Sequence, residues 1–390
     1  MYAEGKGERL TDSLLDRVVD VVDGECIEIL SYERVPTPSS YSDGENEQAE
    51  LKTADIDRPV DSTYRRLSFS GITKNHRGQS SSPVATIESS GGGSGDDDII
   101  TIKSGYSDES VEPGVPAMPM GRVPGGTYFG TVMHKVYELV DFAVEDIRAE
   151  VERVVADVVV GSLAAYRQDI IEGVLLSLET PLDGVLGGLR LRDITRQDRL
   201  DELGFEMGLA EMSALVTISE IGSVVKQVLI AAGRQDDVLM NYLTGVEQSF
   251  HTQLVGLMNG SIDALLRVRN NGIDQFVITD YKTNRLDRDG VNTMIDGYSR
   301  NSILEEMEHH DYPLQALIYG VGVYRFLRWA RPDMDADAAI AGFTYFFVRG
   351  MVGKTTPLDG AHRHGVFSWE APAGLWSALS DLFSRKALAS

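Results

Sequence analysis

The sequence predicts an α/β protein, and three patterns support that class. Residues 127–147 repeat apolar side chains at helical spacing, and more helix is predicted through about residue 190 and over 213–232. The segment QLVGLMNGSIDALLRVRNNGIDQFVITDYKTN holds two apolar runs separated by Asn271-Gly272, a strong signal for a β-hairpin. A helix at about 312–330, a strand at about 338–348 and a final amphipathic helix complete the pattern.

Composition limits the possible classes of protein. With 390 residues and 42% hydrophobic side chains, the chain can form one large domain or two smaller ones. Its single cysteine, Cys26, excludes an internal disulfide framework and any site built from four thiolates. Charged residues interrupt every apolar stretch before membrane-spanning length, and the first residues do not resemble a secretory signal. We therefore expect a cytoplasmic protein with no membrane partner.

The net charge of −24 argues mildly against nucleic acid as a partner, because phosphates attract basic surfaces. The excess of acidic residues is unevenly distributed along the chain, since residues 1–115 contain 23 acidic and 11 basic residues. A local basic groove, or a partner subunit, could still supply contacts to DNA.

Three regions are predicted along the chain. Residues 1–35 are typical of a helix followed by a strand. Residues 36–116 are polar and of low complexity, so we expect a largely disordered linker with an ordered island near 64–76. Residues 117–390 have the apolar content of a packed domain.

The predicted hairpin brings two carboxylates together. Asp263 lies eight residues before Asn271 and Asp280 lies eight residues after Gly272, so a two-residue turn places them opposite each other. Facing like charges destabilise a hairpin unless a cation lies between them, and hard divalent cations prefer carboxylate oxygens. Alternation of side chains places Lys282 on the same face as Asp280.

Phosphodiester hydrolysis requires such groups. Mg²⁺ held by two carboxylates can neutralise a scissile phosphate and acidify a bound water, and a lysine can orient the nucleophile or stabilise the charge on phosphorus. The alternative is that Asp263 and Asp280 cap strand ends and that Lys282 is an exposed partner. The flanking apolar residues and the opposing aspartate favour the functional interpretation.

These residues resemble the central hairpin of RecB-type nuclease domains, which belong to the PD-(D/E)xK superfamily. MNGSIDALL followed by FVITDYKTN carries the resemblance, and other segments are similar to family segments in the same order. They are LSFSGITKNH, GTYFGTVMHKVYELVDF, RLDELGFEMGL, YPLQALIYGVGVYRFLR and GFTYFFVRGM, the last containing Arg349 and Gly350.

The resemblance implies a restriction-endonuclease-like core, in which helices flank a central mixed sheet, here with a helical insertion. It implies Mg²⁺, for which Mn²⁺ is expected to substitute, held by His134, Asp263, Asp280 and the carbonyl oxygen of Tyr281. Gln315 and Tyr319 would lie near the site, and Glu202 would precede the hairpin on another strand. The implied activity is DNA cleavage in recombinational repair or DNA end processing, with DNA and a helicase or other repair subunits as partners.

The chain also departs from the family pattern. RecB-type proteins usually carry an ATP-driven helicase, and such a motor needs a phosphate-binding loop. The string GMVGKTTP (350–357) lacks the first glycine of that motif, so it is predicted to be an ordinary loop. Two alternatives therefore stay open: a non-catalytic nuclease-fold subunit that scaffolds a repair complex, and an unrelated phosphoesterase acting on small molecules.

Several other residues are candidates for roles at a metal site. Glu138, one helical turn after His134, could orient that histidine or reach the metal through a water. Gln315 and Tyr319 could equally be ordinary helix-packing residues. Four other histidines are expected to be solvated loop residues, because no cysteines accompany them. They are His309, His310, His362 and His364.

Overall fold

The computed structural model describes residues 65–76, 118–209, 215–249, 251–270, 272–286 and 295–385. The strands in these ranges are β1 (Arg65–Ser68), β2 (Arg199–Gly208), β3 (Val216–Thr217), β4 (Gln253–Leu254), β5 (Gly256–Asn270), β6 (Ile273–Lys282), β7 (Ile340–Phe347), β8 (Leu358–Asp359), β9 (His362–Arg363) and β10 (Val366–Glu370). The α-helices are α1 (Phe69–His76), α2 (Thr127–Leu139), α3 (Ile147–Val158), α4 (Arg167–Glu179), α5 (Ile218–Ala231), α6 (Met240–Ser249), α7 (Arg300–His309), α8 (Tyr312–Ala330), α9 (Ala336–Ala339) and α10 (Leu375–Phe383).

A six-stranded mixed sheet forms the centre of the fold. Its order is β1-β5-β6-β7-β10, and β2 also pairs with β5. The β1–β5 and β6–β7 pairs are parallel, whereas β2–β5, β5–β6 and β7–β10 are antiparallel. Helices α5 and α6 are inserted between β2 and β5. The predicted α/β class, with a mixed sheet flanked by helices, is confirmed.

The hairpin register is also confirmed. Asn270 pairs with Ile273, and the pairing continues without a shift to Ala264 and Thr279. Gly272 has a φ of +81°, a conformation that favours glycine in such a turn. Asn271 itself lies outside the described residues.

Two apolar clusters cover the two faces of the sheet. Along the hairpin, Leu265 and Ile278 belong to one cluster, together with side chains of α5, α6, α8 and α10. Leu266 and Val277 belong to the other, together with side chains of α2, α3 and α4. The alternation of apolar side chains therefore buries both faces of the sheet beneath helices.

Strand β5 pairs with three other strands, and along one of its edges there is a gap in the pairing. One edge of β5 pairs with β2. On the opposite edge, residues 256–259 pair with β1 and residues 264–270 pair with β6. Residues Gly260–Asp263 lie between these two ladders. The gap leaves polar side chains free to reach one another at the centre of a mainly apolar sheet.

The predicted helix over 127–147 was too long. Helix α2 ends at Leu139, and Val140 has extended backbone with φ −67° and ψ 127°. Guanidinium groups of Arg196, just before β2, and of Arg199, its first residue, bond carbonyls at the end of α2. Arg196 Nη1 lies 3.0 Å from Glu138 O, and Arg199 Nη2 lies 3.0 Å from the carbonyl of Val140, the residue after the helix. Asp146 then caps α3 by accepting from the Ala149 N–H.

Other predictions along the chain have mixed outcomes. The helix at 312–330 and the strand within 338–348 are confirmed as α8 and β7, whereas α6 and α7 were not predicted. The island near 64–76 forms β1 and α1, so it adds an edge strand to the central sheet. The segment 1–35 and most of 36–116 lie outside the described residues, and the domain boundaries stay predictions. Among the described helices, none is long and apolar enough to cross a membrane.

Candidate active site

Three acidic residues occupy neighbouring register positions on three adjacent strands. In the β2–β5 ladder, the pairs Asp201–Ala264 and Leu203–Ile262 flank the position where Glu202 faces Asp263. In the β5–β6 hairpin, Asp280 follows directly after the last pair, Ala264–Thr279. Asp263 is therefore flanked by Glu202 on one side and by Asp280 on the other.

The backbone is distorted where these strands meet. Glu202 has a φ of +48°, which is uncommon for a residue other than glycine, and the Glu202–Asp263 pair is missing from the ladder. The Ser261 hydroxyl donates to Glu202 Oε2 at 3.0 Å. Left-handed backbone in a non-glycine residue carries a cost and is often found at functional sites, where the surroundings hold it in place.

His134 reaches the carboxylates from α2. Its Nδ1 lies 3.3 Å from Asp263 Oδ2, and the side chain is 13% exposed. One ligand atom each from His134, Glu202 and Asp263 lie within 4.8 Å of one another. Imidazole nitrogen and carboxylate oxygen are common ligands for divalent metals, so this set fits such an ion.

Asp280 and Lys282 lie together on β6, as the alternation predicted. Lys282 Nζ is 2.9 Å from Asp280 Oδ1, and both residues are buried. Between them, the Tyr281 backbone N–H donates to Asp263 Oδ2 at 2.8 Å. The Tyr281 ring lies on the opposite face, stacked on Tyr137 with a centroid distance of 4.4 Å. Asp280 does not belong to the set of three candidate ligands formed by His134, Glu202 and Asp263.

Aromatic rings enclose the lysine. Lys282 Nζ lies 3.9 Å from the centroid of the Tyr312 ring and 5.5 Å from that of Tyr345. The two rings are stacked, with centroids 5.6 Å apart. Asn284 Nδ2 donates to the Tyr312 hydroxyl at 3.2 Å, which fixes the ring under the ammonium group.

Gln315 and Tyr319 both lie beside this site. The Tyr345 hydroxyl donates to Gln315 Oε1 at 2.9 Å, and Gln315 Nε2 donates to the Tyr319 hydroxyl at 3.2 Å. The Tyr319 ring also lies over the β5 gap, since a methyl group on Gly260 would come within 2.9 Å of it. Burial and the charge of Asp280 raise the pKa of Tyr319, so its hydroxyl stays protonated.

Burial and neighbouring charges shift the pKa values of the ionisable groups in the site. Burial and the Asp263 carboxylate raise the pKa of Asp280 to about 6. Burial lowers the pKa of His134, but Asp263 and Asp280 outweigh it and raise the value to about 9. Burial favours neutral Asp263, yet His134 and Lys282 hold its pKa below the ordinary value. Burial disfavours charged Lys282, but Asp280 raises its pKa above the ordinary value. Lys282 therefore stays protonated. Asp280 and His134 change their protonation state near their pKa values of about 6 and about 9.

Arg349 joins the two segments that carry the site. Its guanidinium donates to the carbonyls of Thr283 and Val123, each at 2.8 Å, and to that of Pro124 at 3.1 Å. It also bonds the Met120 carbonyl. The loop that leads to His134 is thereby attached to the residue that follows Lys282.

Some expectations about other residues were wrong. The Glu138 carboxylate bonds Lys135 Nζ at 2.7 Å instead of orienting His134. His364 is buried and its Nδ1 lies 3.0 Å from Ile295 O, and His310 Nε2 lies 3.1 Å from Glu306 Oε1. These two histidines are therefore packed, not solvated. The string at 350–357 forms a loop with a short 3-10 turn at Gly353–Thr355, as expected.

Local sequence indicates only weakly that Glu202 belongs to the site. A glutamate at a strand edge is common and carries little information alone. The register of β2 against β5 brings it to Asp263, and the sequence between these strands, with its inserted helices, does not specify that register.

Comparison with known proteins agrees with this geometry. The chain is 35% identical over 347 residues to the RecBCD enzyme subunit RecB of Mycolicibacterium smegmatis, a match of 85% of this chain and 30% of that protein. It is 35% identical over 348 residues to RecB of Mycobacterium tuberculosis. This chain is RecB-like. RecB of Escherichia coli is 23% identical over 342 residues, which cover 86% of this chain and 24% of that protein.

The RecB-like chain spans less than a third of the length of these relatives. No protein-family model matches it. The mixed sheet, with Asp263 facing an Asp-x-Lys sequence at Asp280 and Lys282, is consistent with the PD-(D/E)xK superfamily.

Proposed function

We propose that this RecB-like chain is a metal-dependent DNA nuclease that hydrolyses phosphodiester bonds. The observation that carries the proposal is the convergence of Asp263, Asp280, Lys282 and His134 at the gap in the central sheet. Its relatives are subunits of the RecBCD enzyme by name. We infer a role as the nuclease part of a helicase–nuclease system in recombinational repair or DNA end processing, with DNA and a helicase subunit as partners.

The proposed metal ligands combine the geometry with the family resemblance. His134, Glu202 and Asp263 form the close set, and Asp280 and the Tyr281 carbonyl are the further ligands that the resemblance implies. Crowded carboxylates favour a bound cation, because it relieves their mutual repulsion. When bound, Mg²⁺ or Mn²⁺ would supply charge neutralisation of the phosphate and a water of lowered pKa.

The chain's own residues would bind and orient the phosphate. The Lys282 ammonium is held by Asp280 and the Tyr312 ring, so it can stabilise negative charge on a phosphate oxygen without first reorganising. Gln315 and Tyr319 form a hydrogen-bonded pair at the edge of the site, and both would position the substrate. The surrounding apolar sheet excludes water, which strengthens each of these interactions.

The proposal is tested with Asp280→Asn and Lys282→Gln. Each should lower the rate of DNA cleavage by two to three orders of magnitude or more, roughly the effect of losing one charge-stabilising group. Matched controls are Asp274→Asn, at the other end of β6, and Lys226→Gln on α5. Cleavage is measured with Mg²⁺ and with Mn²⁺, and circular dichroism monitors the fold. If folded wild-type protein leaves all forms of DNA intact with both metals, the proposal fails.

A second candidate function is a non-catalytic subunit that scaffolds a DNA repair complex. The net charge of −24 favours it, because an acidic surface repels DNA. Calorimetry with Mn²⁺ separates the two functions. A degenerate site would bind no Mn²⁺ in a manner that depends on Asp263, whereas the nuclease should lose its Mn²⁺ affinity in Asp263→Asn.

A further inference from the structure

Tyr345 lies beside Asp280 in the central sheet. The parallel register of β6 and β7 pairs these two residues, and the centroid of the Tyr345 ring lies 5.5 Å from Lys282 Nζ. The same ring stacks on that of Tyr312, with centroids 5.6 Å apart. Because Tyr345 is only 1% exposed, it can act on a substrate only through the residues that it contacts.

The Tyr345 hydroxyl fixes the orientation of the Gln315 side chain. It lies 2.9 Å from Gln315 Oε1 and 3.0 Å from the backbone oxygen of Tyr312. Both neighbours are carbonyl oxygens, which accept hydrogen bonds and cannot donate them, so the Tyr345 hydroxyl is the donor. The amide oxygen of Gln315 is thereby held towards Tyr345, and its NH2 group is left for a different partner.

The NH2 group of Gln315 donates to Tyr319. Gln315 Nε2 lies 3.2 Å from the Tyr319 hydroxyl oxygen. N–H···O bonds extend to about 3.2 Å, whereas O–H···O bonds are usually shorter than about 3.0 Å, so this distance fits an amide donor better than a hydroxyl donor. Burial raises the pKa values of Tyr319 and Tyr345 above the ordinary range, so both hydroxyls keep their protons. The Tyr319 oxygen therefore accepts from Gln315, and its own proton is not used in that bond.

Tyr319 lies next to the charged groups of the candidate active site. A methyl group on Gly260, in the β5 gap, would come within 2.9 Å of its ring. The charges of Asp280, Lys282 and Asp263 all act on the Tyr319 hydroxyl. Tyr319 and Asp263 are also equally buried, each 8% exposed. A substrate oxygen that reaches Asp263 would therefore enter the same enclosed region as the Tyr319 hydroxyl.

We propose that Tyr345 is a positioning residue for phosphodiester hydrolysis, because it orients Gln315 so that the Tyr319 hydroxyl donates to a phosphate oxygen at the candidate active site. The proposal rests on the proposed nuclease function. Without the Tyr345 hydroxyl, the Gln315 amide can exchange the positions of its oxygen and nitrogen, and its oxygen would then accept the Tyr319 proton. The phosphate would lose one donor. A donor aimed at charge that develops in the transition state contributes mainly to kcat.

Tyr345→Phe tests this role, since it removes the hydroxyl and retains the stacked ring. With a DNA oligonucleotide and Mg²⁺, kcat should fall about tenfold with little change in KM, roughly the effect of one hydrogen bond. Tyr319→Phe should lower kcat by a similar factor. Tyr137→Phe is the matched control, because it removes a buried hydroxyl that contacts Ser177 at 2.7 Å in the apolar cluster on the other face of the sheet. It should leave kcat unchanged, and urea unfolding verifies that each variant stays folded.

A double-mutant cycle distinguishes positioning from a general structural role. If Tyr345 acts through Tyr319, Tyr345→Phe should cause no further loss of kcat in a protein that already carries Tyr319→Phe. Damage to the packing would instead multiply the two decreases. Multiplied decreases, or an unchanged kcat in Tyr345→Phe alone, would overturn the proposal.

Gln315→Met provides a second background for the same comparison. Its side chain is similar in length, and its thioether is only a weak acceptor, so it cannot hold the Tyr319 proton as an amide oxygen would. Tyr345→Phe should therefore have little effect on kcat in this background. A loss of about tenfold there would show that Tyr345 acts by another route.

The same assay separates this proposal from the proposed nuclease function. If wild-type protein cleaves no DNA with Mg²⁺ or Mn²⁺, the nuclease function fails and the role of Tyr345 fails with it. If wild-type protein cleaves DNA and Tyr345→Phe cleaves it equally fast, only the role of Tyr345 fails.

Discussion

Lys282 Nζ lies 3.9 Å from the centroid of the Tyr312 ring while it also contacts Asp280. A buried ammonium group is held in one position when a carboxylate and an aromatic face approach it from different directions. Tyr312 begins α8, and its hydroxyl contacts Asn284, two residues after Lys282. The start of α8 and the end of β6 thus fix the lysine together.

Replacement of the Tyr312 ring should therefore impair catalysis more than binding. A desolvated cation–π contact contributes about 2 kcal/mol, so Tyr312→Leu should lower kcat by roughly 30-fold with little change in KM. Tyr312→Phe retains the aromatic face and should restore most of kcat. Steady-state kinetics on a DNA substrate measure both values. Equal losses in the Leu and Phe variants would show that the ring does not position Lys282.

Much of this site could be predicted from local sequence. The Asn271-Gly272 dipeptide specified the turn, and a turn of known length specifies the register on both sides of it. Side-chain alternation then placed Lys282 beside Asp280. These inferences need no knowledge of distant segments, because a hairpin pairs residues that are close in the chain.

The parts that local sequence could not specify depend on packing between distant segments. Glu202 reaches Asp263 only through the pairing of β2 with β5, and the end of α2 depends on Arg196 and Arg199. Apolar periodicity continues past Leu139, so it could not reveal that guanidinium groups bond the last carbonyls of the helix there. Local patterns identify elements, whereas tertiary contacts determine where they end.

Gly260 should tolerate no side chain. A Cβ there would lie 2.8 Å from Phe205 and 2.9 Å from Tyr319. Gly260→Ala must displace both rings, so we expect a loss of about 1–3 kcal/mol in the free energy of unfolding. DNA cleavage should decrease as well, because Tyr319 moves. Gly204→Ala is the control, since no atom lies within 4 Å of its added Cβ. Similar unfolding curves for both variants would contradict the packing argument.

Metal affinity should increase with pH. Without a metal, the pKa of His134 is raised to about 9 and that of Asp280 to about 6, and both groups must lose a proton to become ligands. Mn²⁺ binding should therefore release protons, and the association constant should rise about tenfold per pH unit between roughly pH 6 and 8. Calorimetry in buffers of different ionisation enthalpy counts the released protons. His134→Asn should reduce the slope, and a slope unchanged in that variant would exclude His134 as a ligand.

Arg349 should stabilise the site through geometry that lysine cannot reproduce. The side chain is 1% exposed, and its nitrogens donate to carbonyls of Thr283, Val123 and Pro124. An ammonium group in Arg349→Lys cannot reach all of these acceptors, and each buried carbonyl left without a donor costs about 1–3 kcal/mol. We expect the free energy of unfolding to fall by at least about 2 kcal/mol, as measured in urea. Arg331→Lys, which alters an exposed pair with Asp333, should change it by less than about 0.5 kcal/mol. Because the loop held by Arg349 leads into α2, the same substitution should also weaken Mn²⁺ binding through His134. A variant that loses stability but retains Mn²⁺ affinity would show that α2 is positioned without Arg349.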